Sequence, residues 1–192
     1  IKPINTYGNI KATIEKFLLD VYKSAPKDWN IINLRYFNPV GAHKSGLIGE
    51  NPKDIPNNLF PYICKVASGE IDKLKIFGND WPTKDGTCIR DYIHIDDLAE
   101  GHKKALNLLF HKEVDFLSIN LGNGLGVSVL EMIENFEKAN DCKIKKIFES
   151  RRDGDASSTY ADIKLAEKVL GWKPKKNLSD ICRDGWNWQR KN

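Results

Sequence analysis

Apolar positions along the chain switch between two periods. Tyr7, Ile10, Ile14, Phe17, Leu18 and Val21 fall three or four residues apart, which predicts an amphipathic helix over about Asn5–Ala25, ended by Pro26. Asn30–Phe37 (NIINLRYF) is rich in β-formers and predicts a strand buried beside that helix. From Asn38 to Asn58 the periodicity disappears into prolines, glycines and Asn or Asp residues, the composition of a long loop, and loops of that length tend to carry function. A helix at Leu59–Ser68, a strand at Leu74–Phe77, a turn cluster at Gly78–Gly86 and a short strand at Asp91–His94 follow. Asp96 or Asp97 is placed to cap a helix running to about Phe110. Phe116–Leu121 predicts a strand, and Ser128 with Glu131 forms an S-x-x-E capping box for a helix at Ser128–Asn140. A strand at Lys145–Glu149 and helices at Asp162–Leu170 and Leu178–Gln189 complete the series. Strands alternating with helices imply an α/β fold with a mainly parallel sheet.

Composition narrows the class. The 192 residues are 41% hydrophobic and 29% charged, the profile of a soluble globular chain rather than a disordered one. No apolar run is long enough for a transmembrane helix, and no secretory leader is expected at the start. The net charge of +4 comes from interspersed residues, and short runs such as Lys143–Lys146 and Lys173–Lys176 read as solvated faces, so neither nucleic acid nor membrane is an expected partner. Cys64, Cys88, Cys142 and Cys182 lie far apart, as expected of free thiols in a reducing cytoplasm. His43, His94, His102 and His111 lack any ligand spacing, and no metal site is expected.

Two motifs bear on chemistry. Gly122-Asn-Gly124-Leu-Gly126 sits between a strand and a helix, but Val127 stands where a dinucleotide fingerprint needs its third glycine, so a strand-to-helix turn is expected instead of a phosphate cradle. Tyr7 and Lys11, four apart on a helix, share one face. A phenol is a poor base at neutral pH and a neighbouring ammonium favours its anion. By itself this spacing is weak and usually means a packed tyrosine beside a snorkelling lysine.

The order of further motifs separates those readings. Tyr7-Gly8-x-x-Lys11 is followed by Leu34-Arg35-Tyr36-Phe37-Asn38-Pro39-Val40-Gly41, then Ile55-Pro-Asn-Asn-Leu59, Ile76-Phe-Gly-Asn79, Arg90-Asp-Tyr-Ile-His94 and Arg151-Arg-x-Gly-Asp155. In these segments the chain resembles the UDP-galactose (UDP-glucose) 4-epimerases of the extended short-chain dehydrogenase/reductase family, from Tyr7 to Trp186 and Trp188. The resemblance implies an α/β fold: the C-terminal portion of an NAD-binding Rossmann fold with a smaller α/β substrate-binding domain. Residues 1–37 would end the dinucleotide-binding domain, with 91–121 packing on it, and 38–90 and 122–192 would mainly form the UDP-sugar-binding domain. The family's glycine-rich half precedes the tyrosine helix, and this chain opens at Ile1, so it is expected to be the C-terminal part of a longer chain and inactive alone.

The activity implied is epimerisation of UDP-glucose and UDP-galactose through a 4-keto sugar, with transient hydride transfer to tightly bound NAD, in a cytoplasmic enzyme that is a homodimer when complete. By resemblance Tyr7 is the acid/base and Lys11 its cationic neighbour on the nicotinamide ribose. Phe37 would border the nicotinamide, although an aromatic ending a strand also suits a core. Asn38 and Asn58 would contact phosphates and sugar, and Leu59 the nucleotide through its backbone. Lys75 and Phe77 would read uracil through backbone groups, and Asp155 would accept from the uridine ribose. Arg90 and Arg152 would clamp the phosphates, the alternative for Arg90 being an ion pair with Asp91. Thr159 falls at the family's hexose-pocket position, where its small side chain would leave space for an N-acetyl group, unless it merely leads into the next helix. Two other readings stay open: another nucleotide-sugar epimerase or dehydratase of this family, and a non-catalytic nucleotide-sugar-binding module.

Overall fold

The computed structural model describes residues 3–54, 56–111 and 114–192. Ile55, which begins the IPNNL motif, lies outside them. The chain starts with α1 (Thr6–Ser24), capped by the Asn5 side chain, which accepts from the Gly8 amide at 2.8 Å. No residue of α1 is buried, so the helix lies against the body without entering it. Strand β1 (Ile31–Tyr36) pairs in parallel with β6 (Phe116–Leu121). At Phe37 the chain changes partner: the Phe37 amide still donates to Leu121, whereas the Asn38 amide donates to Asp91. The next strand, β2 (Asn38–Val40), thus runs parallel to β5 (Tyr92–His94), with Asn38 opposite Tyr92. Residues 38–58 are therefore not loop throughout, because a short strand opens them.

Helix α2 (Leu59–Ala67) leads to β3 (Leu74–Phe77), which pairs in parallel with β8 (Lys146–Glu149). The two-residue β4 (Ile89–Arg90) lies between β7 (Val127–Ser128) and β9 (Ser158–Thr159), antiparallel to the first and parallel to the second. Helices α3 (Ile95–Phe110), α4 (Val129–Asn140), α5 (Lys164–Leu170) and α6 (Leu178–Lys191) complete the chain. Among the described residues the strands pair in four small sheets, and four of the five pairings are parallel, as the α/β reading expects. The break falls at Asp91, which belongs to neither β4 nor β5 although the sequence predicts one strand from Asp91 to His94.

Two apolar clusters hold these layers. Phe60, Ile63, Ile76, Met132, Ile133, Phe136 and Ile181 join α2, β3, α4 and α6, with the Phe136 ring edge-on to Phe60 and Trp186. Ile93, Ile119, Leu121, Ala166 and Trp172 join β5, β6 and α5. The cap of α3 differs from expectation. Buried His94 accepts from the Asp96 amide at Nδ1, which leaves its Nε2 proton facing Asp184 at 3.2 Å. Asp97 instead accepts from the backbone amides of Lys175 and Lys176. The Ser128–Glu131 capping box forms as the spacing predicts. All four cysteines are free, and burial pushes the Cys64 and Cys182 thiols up, the latter to about 12.

Two half-buried carboxyls, Asp85 and Glu137, contribute to the acid limit of stability. Burial is the largest influence on Asp85 and on Glu137 and opposes their charge. Hydrogen bonds outweigh it, from Ser128 and Thr87 to Asp85 and from the Ile144 amide and Lys143 to Glu137, so both lie below the usual carboxylate range. A depressed carboxyl contributes stability above its unfolded value, about 4, and loses it as the pH falls through the folded value. Urea midpoints are expected to hold from neutral pH to about 5 and to drop below about 4. Glu137→Gln should flatten that drop, and an unchanged slope would assign the acid limb elsewhere.

Candidate functional site

Two cavities adjoin where the chain changes strand partner, at the carboxyl end of β1, where ligands gather in open α/β sheets. The larger, about 490 Å³, is lined by Tyr7, Lys11, Glu15, Arg35, Phe37 and Asn38 among others. The smaller, about 240 Å³, is lined by Lys75, Phe77, Cys88, Arg90, Arg152 and Asp155 among others. Asn38, Asn58, Leu59 and Tyr92 border both and form a common wall. Every residue singled out from the sequence lines one cavity or both, except Thr159. That residue lies exposed on β9, opposite Arg90 in the register, outside both cavities.

In the larger cavity the Lys11 ammonium lies 5.2 Å from the Tyr7 ring centre, and Tyr7 is 70% exposed. One turn further on, Glu15 forms a forked ion pair with Arg35, which fastens the middle of α1 to β1. This pair is invisible in the sequence, because two charges of opposite sign twenty positions apart have no spacing signature.

The smaller cavity has a charge pattern of its own. Asp155 is shared by two guanidinium groups, Arg90 at 3.5 Å and Arg152 at 3.3 Å. Arg90 also donates to the carbonyls of Ala156 and Ile89, and Arg152 lies over the Phe77 ring, 4.5 Å from its centre. Two cations sharing one anion leave a surplus positive charge facing the cavity, a setting for an anionic ligand. The neighbouring Arg151 is committed elsewhere, to Asp80 at 2.7 Å and to the face of Trp81. On β3 the Leu74 and Gly78 amides point to Lys145 and β8, so the backbone groups of Lys75 and Phe77 point to the opposite edge, where the Phe77 carbonyl accepts from the Trp81 indole N–H at 3.3 Å. The Lys75 side chain turns back to Glu149.

Two further residues shape the site. Asp91, fully buried, accepts from the amides of Asn123 at 2.6 Å, Gly124 at 2.9 Å and Ala161 at 3.1 Å. It makes no ion pair with Arg90. Two amides of the glycine turn are thus spent on this carboxylate. Gly122 is required by the close approach, since a Cβ there would lie 2.6 Å from Asp91. The second is Tyr92, whose buried ring borders both cavities and whose hydroxyl, among the described residues, makes no hydrogen bond to protein. Burial pushes its phenol above the ordinary tyrosine range. Among the described residues no group of three or more His, Cys, Asp or Glu could hold a metal, and no helix is long and apolar enough to cross a membrane.

Parallel strands linked by helices, with the crevice at their carboxyl ends, place the chain in the Rossmann-like extended short-chain dehydrogenase class. The GDP-mannose 4,6 dehydratase family matches residues 1–185, and the chain belongs to that family. It is 52% identical over 193 residues to the bifunctional UDP-glucose 4-epimerase and UDP-xylose 4-epimerase 3 of Arabidopsis thaliana, covering 100% of this chain and 55% of that protein. The crystal structure of UDP-glucose 4-epimerase from Bifidobacterium longum in complex with NAD+ and UDP superposes with a TM-score of 0.94 at 47% identity, over 100% of this chain and 56% of that one. That of UDP-glucose-4-epimerase from Stenotrophomonas maltophila, with bound NAD and formylated UDP-arabinopyranose, gives 0.92 at 46%, over 96% and 55%. The chain spans about half the length of the relatives it matches.

The Asp91 node carries a direct expectation for stability. Asp91→Ala would strand three backbone amides without acceptors, and a buried unsatisfied group costs ~1–3 kcal/mol. A loss of about 3 kcal/mol or more is expected in chemical denaturation. A loss under ~1 kcal/mol would show that water satisfies those amides instead.

Proposed function

We propose that these residues form part of an NAD-dependent UDP-glucose 4-epimerase, an isomerase that interconverts UDP-glucose and UDP-galactose. One observation carries the reading: the Tyr7–Lys11 pair and the Arg90–Asp155–Arg152 cluster face adjoining cavities across one wall. A nucleotide sugar has the matching layout, an anionic diphosphate between a planar base and a neutral hexose.

In this reading Arg90 and Arg152 grip the diphosphate, exchanging part of their hold on Asp155 for phosphate oxygens. Asp155 accepts from the uridine ribose, the outward backbone groups of Lys75 and Phe77 meet the uracil edge, and Leu59 adds a backbone contact. Asn38 and Asn58, on the common wall, bond to phosphate and sugar. Tyr92 is placed to add its free hydroxyl there. The larger cavity receives the hexose, where Tyr7 takes the proton from the 4-hydroxyl and returns it. A cation beside the phenol stabilises the oxygen during that transfer.

The same cavity fits NAD at its nicotinamide end. Among the described residues Lys11 makes no ion pair, so its ammonium is available to a ribose hydroxyl, and Phe37 offers an aromatic border. NAD, when bound, supplies a reversible hydride acceptor at the sugar carbon. The complete protein is proposed to be cytoplasmic and a homodimer, with Ile10, Ile14 and Phe17 of α1 exposed on the face available to a partner.

Three measurements test this reading. Tyr7→Phe in the full-length protein should lower turnover by about 10²-fold or more. Calorimetric UDP affinity should stay within about threefold, since the phenol lies beyond the phosphate clamp and RT ln 3 is well under ~1 kcal/mol. Retained turnover would remove Tyr7 as the acid/base, and a variant blind to UDP from the start would favour neither epimerase nor binding module. The isolated 192-residue chain is expected to retain no NAD by calorimetry, because its one glycine-rich turn already binds Asp91. For sugar range, Thr159 lies outside the cavity assigned to the hexose, so Thr159→Tyr is expected to leave the ratio of N-acetylated to plain UDP-hexose turnover unchanged. A selective loss of the N-acetylated sugars would instead restore Thr159 as the gate.

A further inference from the structure

Asn5 uses both ends of its side chain. Its Oδ1 accepts from the Gly8 amide at 2.8 Å and caps α1, while its Nδ2 donates to the Gly154 carbonyl at 3.2 Å, 149 residues away. The two neighbours fix the orientation of the amide, since one is an N–H and the other a C=O. Gly154 lies at the tip of the turn in which the Asp155 amide donates to the Arg152 carbonyl, and its φ of +78° is one that a side chain would resist. The turn therefore presents the Gly154 carbonyl to Asn5 while its flanking residues, Arg152 and Asp155, line the smaller cavity. Two residues beyond Asn5 stands Tyr7, on the larger cavity. Among the described residues no other hydrogen bond joins the first turn of α1 to a segment distant in sequence, and α1 buries none of its residues.

We infer that Asn5 is a positioning residue that couples occupancy of the Arg152–Asp155 turn to the placement of Tyr7. The inference rests on the reading above, in which that turn holds the nucleotide. An anion that draws Arg152 into the cavity reorders residues 152–155, and among the described residues the Asn5 amide is the side chain that hydrogen-bonds from the head of α1 to that turn. Nucleotide binding thereby steadies the turn of helix from which Tyr7 projects.

Capping and coupling can be separated. Asn, Asp and Ser are about equally good N-caps. Asn5→Asp keeps the cap but sets a carboxylate oxygen against the Gly154 carbonyl, and Asn5→Ser keeps the cap but is too short to reach it. Hydrogen exchange of the full-length protein with and without UDP reads both ends. In the wild type, UDP should slow exchange at residues 151–156 and also at Gly8 and Asn9. In Asn5→Asp and Asn5→Ser the slowing at 151–156 should remain and that at Gly8 and Asn9 should vanish. Turnover should fall about threefold to tenfold, the scale of one lost neutral hydrogen bond, with KM for the UDP-sugar within about twofold. Variants that keep the UDP-dependent slowing at Gly8 and Asn9 would reduce Asn5 to a cap and overturn the coupling alone. No UDP effect at 151–156 in the wild type would overturn the nucleotide reading of the turn, and the coupling with it.

Discussion

Burying a carboxylate is among the more expensive things a small fold can do, and Asp91 is buried without a cation against it. Its position is sustained by backbone amides from two segments remote in sequence, residues 123–124 and residue 161. Neither set of donors is supplied by local structure, so the node forms only when both segments have arrived. Such an arrangement is close to all-or-none, because a partly satisfied buried charge is worse than none. Arg90 and Tyr92 flank this fixed point on either side, one facing the charged cavity and the other the common wall. Using backbone donors for Asp91 also leaves the Arg90 guanidinium free of its sequence neighbour. It turns instead to Asp155 and Ala156, on the segment that carries Arg152.

The two cavities are built on unequal foundations. The floor of the smaller one is continuous with the apolar cluster through Ile76, Tyr92 and Val129. The larger one has α1 as a wall, and that helix depends on its Asn5 cap, the Glu15–Arg35 fork and the contact of the Tyr22 and Phe116 rings at 5.7 Å. An isolated helix of this length is marginal in water, so these few contacts decide how firmly it is held. Of the helices that line the two cavities, α1 is the one that contributes no buried residue.

Most elements were legible from the sequence because their signals are local. The period of α1, the β-rich text of β1, β3 and β6, and the Ser128–Glu131 box depend on neighbours within a few residues. The departures share a physical cause, which is competition from tertiary partners. Asp96 and Asp97 are good caps by type, but His94 reaches the amide first and Asp97 is drawn to the 175–176 backbone. Strands β2, β4 and β9 are too short to have a period, and exist only because a partner lies alongside. The site shows the same division. Tyr7, Lys11, Asn38, Arg90, Arg152 and Asp155 stand in motifs that could be recognised, and the structure gathers them. Asp91 and Tyr92 stand in such a motif but have no role legible there, and Asp91, like Glu15 and Asn5, acts through contacts across the chain that no spacing announces.

The wall shared by the two cavities has an evolutionary consequence. Asn38, Asn58, Leu59 and Tyr92 each touch both spaces, so a substitution at any of them alters two recognition tasks together. Such positions are pleiotropic, and selection on either task constrains them. Thr159 and Lys75 border at most one space and are open to independent change. The periphery of such a scaffold can therefore vary residue by residue, while a change in the partition is felt in both spaces at once.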